Sequence, residues 1–165
     1  MKKENLWQFS KGRGAAAEDY VLQRLFPSIG LKCTKNNRQD VKEIDLMLEG
    51  VPLDVKTAFT PYPKTPTPAK LTAEEHLTLD AANIAKYPRE VLLLFLVRYD
   101  DKPRVCFISA GRVKDIVANT PYRTYMRSGR SFKDKQKKIG VAFGECIDIT
   151  HHFHPDVLDE MKLIP

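Results

Sequence analysis

The chain has 165 residues, 42% hydrophobic and 29% charged, with a formal net charge of +6. That length and balance predict one globular domain with a substantial core and exclude a disordered or low-complexity chain. The longest apolar run, Val91–Val97, is too short to cross a bilayer, and no apolar signal core follows the basic start "MKKENLWQFS". A cytoplasmic protein without a membrane partner is therefore expected.

In chain order, "GAAAEDYVLQRLF" (14–26) predicts a helix whose apolar stripe runs through Ala17, Val21, Leu22, Leu25 and Phe26, stopped by Pro27. A short strand is expected at Leu31–Thr34. "EIDLMLEGVPLDVKTA" (43–58) then reads as a hairpin, Ile44–Leu48 and Val51–Ala58, around a Glu49-Gly50 turn. "TPYPKTPTPAK" (60–70) carries four prolines and excludes a regular element. Thr72 and Glu75 form a capping-box pattern that predicts a helix to about Lys86, closed by Pro88.

"VLLLFLVRY" (91–99) is a continuous apolar run and predicts a strand buried on both faces, with "RVCFISA" (104–110) as its antiparallel partner. A short helix at 111–118, a basic segment, a strand at 141–149 and a terminal helix in "PDVLDEMKL" complete the order. This is an α/β pattern, with a mixed central sheet covered by helices. Cys33, Cys106 and Cys146 lie far apart with no CxxC pair, which excludes a zinc ribbon or a four-cysteine cluster and predicts reduced thiols in apolar strands.

The hairpin carries charges that strand composition normally excludes. Alternation puts Asp54, Lys56 and Ala58 on one face of the second strand, opposite Leu53, Val55 and Thr57. A two-residue turn pairs Leu48 with Val51 and so sets Asp45 opposite Asp54. Two carboxylates about 5 Å apart repel by roughly 3 kcal/mol at an effective dielectric near 20. A divalent cation with oxygen ligands offsets that repulsion well; the alternative is a structural ion pair with Lys56. Glu18 stands on the apolar stripe of the first helix, where a carboxylate is costly without a partner. The same cluster would supply that partner.

Helix-borne Glu18, then "IDLML", a tight turn and "LDVKT" resemble the PD-(D/E)XK nuclease superfamily. The resemblance covers about residues 10–60. Asp45 matches the strand Asp, with Ile44 where the pattern has Pro; Asp54-Val55-Lys56 matches D/E-x-K. Glu18 matches the first-helix acid, and Gly14 four residues earlier resembles the G-x-x-x-E of the Holliday-junction-resolvase-like branch.

The resemblance implies a restriction-endonuclease-like fold and a magnesium-dependent DNA endonuclease, with manganese able to substitute and a homodimer as the working form. Asp45, Asp54, the Val55 carbonyl and Glu18 would hold the metal, and Lys56 would orient or deprotonate the attacking water. A restriction-type enzyme, an exonuclease and a non-catalytic DNA-binding module on the same fold are the alternatives. Asp40-Val41-Lys42 also spells D-x-K, but no strand bearing an acid precedes it.

The excess charge has one location. Arg123, Arg127, Arg130, Lys133, Lys135, Lys137 and Lys138 face a single acid, Asp134, and the remaining 20 basic and 20 acidic residues cancel. Interleaved with Tyr122, Tyr125 and Phe132, this segment (121–139) is expected to be a mobile DNA-binding flap. "SKGRG" (10–14) adds Lys11 and Arg13 beside the first helix. His151, His152 and His154 lack a convincingly spaced third ligand and are expected at the surface.

Overall fold

Five successive residues, Leu93 to Val97, are at most 1% exposed, so the strand that holds them must be covered on both faces. The computed structural model, which describes residues 12–41, 43–59, 76–99, 102–127 and 136–165, shows how. The strand is β5 (Leu92–Tyr99), in a six-stranded mixed sheet with β1 (Cys33–Lys35), β2 (Leu46–Leu48), β3 (Val51–Ala58), β6 (Lys102–Ser109) and β9 (Ile147–Asp148). Their spatial order is β1-β2-β3-β5-β6-β9. Only β3 and β5 run parallel; every other neighbouring pair is antiparallel.

One face packs on α1 (Arg13–Tyr20), the wider helical turn Val21–Leu25 that continues it, and α4 (Pro155–Asp159). Tyr20, Leu25 and Phe26 meet Leu46, Leu53, Leu94 and Leu96 there. The other face packs on α2 (Ala81–Lys86), α3 (Ala110–Asn119) and a second sheet in the order β4 (His76–Asp80), β8 (Gln136–Ala142), β7 (Thr124–Arg127). Leu93, Phe95 and Ile108 meet Leu77, Leu79, Val113 and Val141 on that side. The α/β class expected from the sequence is the class observed.

Three local expectations change. Residues 76–80 form a strand where a helix was expected; Thr72 lies outside the described residues. Leu77 and Leu79 alternate into the core at 1% exposure each, paired against Val141 and Ile139. The helix starts instead at Asp80, whose side chain accepts from the Ala82 N–H at 3.0 Å.

The expected strand 141–149 is broken. Glu145 accepts from the Ala142 N–H at 2.8 Å and closes a 3-10 turn, Phe143–Glu145, between β8 and β9. The described ends of the basic segment are strands, β7 and β8, rather than loop. The first helix, the hairpin, β5, β6 and α3 lie within a few residues of their expected places.

Candidate active site

The hairpin register is the one the turn dictates: Leu48 faces Val51, Met47 faces Pro52 and Leu46 faces Leu53. Glu49 (φ 48°) and Gly50 (φ 81°) both take the left-handed backbone of a type I′ turn, which fixes that register. Alternation along β3 holds as well. Leu53 and Val55 pack on the α1 side, whereas Asp54 and Lys56 lie beside Leu93 and Phe95 in the parallel register and point to the other face. Lys56 Nζ is 3.2 Å from Asp54 Oδ2.

Asp45 lies one residue before the first paired residue of β2, and its carbonyl accepts from the Asn36 N–H at 2.8 Å. Its carboxyl group is hydrogen-bonded to that of Glu18. Burial raises the Glu18 carboxyl to about 7; the bond to Asp45 and the charges of Asp45 and Asp54 push the same way, and Lys35 opposes them. Glu18 is thus far more ready to keep a proton than an ordinary carboxyl group. Glu18 of α1 thus meets Asp45 at the entry to β2, and Asp54 of β3 meets Lys56, with the charge of Asp54 reaching Glu18 as the weakest of its influences.

Two residues join the site that the sequence alone did not single out. Tyr87, at the end of α2 and 7% exposed, donates its hydroxyl to Asp54 Oδ2 at 2.9 Å. That oxygen thus takes both the phenol and the Lys56 ammonium, and Oδ1 has no hydrogen-bond partner among the described residues. Lys35, at the end of β1, is the cation felt by Glu18. Beside Asp45 lies a polar cleft of about 290 Å³, lined by Lys35, Asn37, Gln39 and Ile44 among others.

Carboxylate oxygens are the donors a hard divalent cation takes, and here they stand as two groups, Glu18 with Asp45 and Asp54 with Lys56. Among the described residues no three acidic, histidine or cysteine side chains stand close enough to enclose an ion. Val55 sits opposite Leu94 in the parallel ladder, its side chain in the α1-side core. The competing D-x-K is occupied otherwise: Asp40 pairs with Arg38, Val41 is buried, and Lys42 lies outside the described residues.

The basic candidates divide. Arg123 is turned inward, its guanidinium bonded to Glu145 and to the Gly140 carbonyl with the side chain 13% exposed. Lys138 is 14% exposed and 4.0 Å from Asp80, while Lys137 is exposed. Arg13 donates to the Pro165 carbonyl at 2.9 Å and lies over the Phe59 ring. The backbone of Arg127 is in β7; Lys11, Arg130, Lys133 and Lys135 lie outside the described residues.

The three histidines are at the surface as expected. His151 and His152 stack on a 3-10 turn with ring centroids 4.1 Å apart, and His154 caps α4 by accepting from the Asp156 N–H. Among the described residues no helix is long and apolar enough to cross a membrane. Compared with known proteins, the chain matches no family model, no curated relative and no solved structure.

Proposed function

We propose that this protein is a magnesium-dependent DNA endonuclease that hydrolyses phosphodiester bonds. The observation that carries the reading is the pairing of Glu18 with Asp45 beside the pair Asp54–Lys56, whose carboxylate also acts on Glu18. A structural ion pair between Asp54 and Lys56 accounts for two of these residues; it gives no reason for a half-buried Glu18 to face Asp45.

In this reading Asp45, Asp54, Glu18 and the Val55 carbonyl would hold Mg²⁺, or Mn²⁺ in its place, and the ion would supply positive charge at the scissile phosphate and acidify water. Lys56, kept beside Asp54, would donate to the phosphate or to the attacking water and orient it. Glu18 would serve as a ligand in its carboxylate form. Lys137, with Lys133 and Lys135, supplies phosphate contacts away from the reacting bond. A homodimer acting on both strands, and selectivity for junctions in the manner of a resolvase, belong to the same proposal.

The deciding experiment is cleavage of plasmid, linear duplex, flap and four-way-junction DNA with Mg²⁺ and with chelator. Asp45→Ala, Asp54→Ala and Lys56→Ala are each expected to remove cleavage at least a hundredfold while the variants still melt cooperatively. Cleavage by Asp54→Ala at the wild-type rate overturns the assignment. DNA binding without cleavage by the wild type turns the reading to a non-catalytic DNA-binding module.

A further inference from the structure

The segment between β1 and β2 has more structure than a connection needs. Asn36 organises it: its amide Nδ2 donates to the carbonyls of Val41 (2.8 Å) and Ile44 (2.6 Å), and its Oδ1 accepts from the Arg38 N–H (2.9 Å). The Arg38 guanidinium is pinned between Asp40 and Glu90. These bonds tie up Asn36 and Arg38 and set the wall of the 290 Å³ cleft that ends at Asp45. The side chains of Lys35, Asn37 and Gln39 are exposed on that wall and make no hydrogen bond within the described residues. A preorganised wall with an uncommitted ammonium and two uncommitted amides, opening onto a carboxylate of the proposed site, is a binding surface.

We propose that this cleft binds one unpaired nucleotide next to the phosphate that is cut, with Lys35 on its backbone and Asn37 and Gln39 on its base. The inference rests on the nuclease reading and deepens it by naming the substrate's form. A cleft of this volume is at the small end of ligand pockets, with room for a single nucleotide and none for a duplex. None of the described residues that line it is aromatic, so they hold the base by its edge rather than by stacking, which makes the contact selective. Side-chain amides pair with adenine through an adjacent donor and acceptor, so adenine is the base expected there. The Lys35 ammonium is close enough to the acidic cluster to act on Glu18, and so also to a phosphate lying across it.

The test uses the full chain and oligonucleotides. Substrates carry one unpaired nucleotide, each of the four bases in turn, beside the site of cleavage, with a fully paired duplex as control. Binding is followed by fluorescence anisotropy in Ca²⁺ and cleavage in Mg²⁺. The wild type is expected to prefer the unpaired substrate and to favour adenine by about tenfold. Combined Asn37→Ala and Gln39→Ala should flatten that preference in both assays. Lys35→Ala should weaken all four substrates alike and lower the salt slope of binding by about 0.7. A base preference unchanged in the double variant, or a paired duplex bound and cut as well as the unpaired one, overturns the subsite alone. Absence of cleavage and of Mg²⁺-dependent behaviour in the wild type overturns the nuclease reading, and the subsite with it.

Discussion

Glu18 is the residue at which burial and charge most directly oppose one another. Its carboxyl titrates near 7 in the folded protein, against 4.5 as the ordinary value, because burial and the neighbouring Asp45 disfavour its anion. The folded state therefore holds this proton more tightly than the unfolded state. Its stabilisation is complete below about pH 4.5 and is lost as pH rises through about 7. Metal-free protein should accordingly melt at falling temperature between pH 5 and pH 8, and Glu18→Gln should flatten that decline. Thermal melts in chelator across the interval check it, and an identical slope in both proteins contradicts the assignment.

Tyr87 acts on the same cluster from the other side. Its hydroxyl and the Lys56 ammonium share Asp54 Oδ2, which fixes the carboxylate. Tyr87→Phe keeps the ring in its packed position and removes only the bond. The protein should lose about 1.5–3 kcal/mol, the scale of a hydrogen bond to a charged group. Mn²⁺ affinity, measured by electron paramagnetic resonance, should fall several-fold because Asp54 is no longer held. A variant that melts lower yet binds Mn²⁺ as the wild type does would make Tyr87 a packing residue only.

Among the elements, the second sheet shows how far a charge run can be misread as surface. Arg123 belongs to the densest basic segment of the chain, yet its guanidinium closes β8 and the following turn through Gly140 and Glu145. Glu145 also caps the Ala142 N–H, so one carboxylate breaks the strand and anchors the arginine. Removing one partner of a largely buried pair leaves the other uncompensated. Arg123→Ala should therefore cost about 2–3 kcal/mol in denaturant unfolding, at the lower end because both groups retain some exposure. The salt dependence of DNA binding should stay unchanged. A stable variant with a shallower salt slope would return Arg123 to the DNA-contacting set.

At the scale of the molecule, α1 and α4 cover one face of the large sheet, and α2, α3 and the small sheet cover the other. The acidic residues lie at the entry to β2 and in β3, and the excess positive charge lies in the segment 123–138, whose described parts include β7 and β8 of the small sheet. Their separation along the chain predicts that binding and catalysis can be altered independently. Lys133, Lys135 and Lys137 replaced together by Ala should flatten the plot of log affinity against log salt by about 2.7, at ~0.9 per duplex phosphate contact. Cleavage at saturating DNA should persist. An unchanged slope would leave these lysines as solvation for the segment.

The sequence by itself determined the features governed by neighbours along the chain. The Glu49-Gly50 turn fixed a register, and period-two alternation then put Asp54 and Lys56 on one face. The apolar run in β5 fixed burial on both sides, and Glu18 stood out as a carboxylate on an apolar stripe. Other features depended on contacts between distant segments. Leu77 and Leu79 alternate as strand residues do, but the Thr72 and Glu75 capping pattern before them predicts a helix, and pairing with β8 decided for the strand. Arg123 met Glu145 only through the pairing of β7 with β8, and Tyr87 met Asp54 only through the packing of α2 on the large sheet. Local propensity is worth tenths of a kcal/mol per residue, whereas burial of a side chain or pairing of a charge is worth several times that. Tertiary structure therefore decided wherever the local preference was weak or the partner lay far away in the chain.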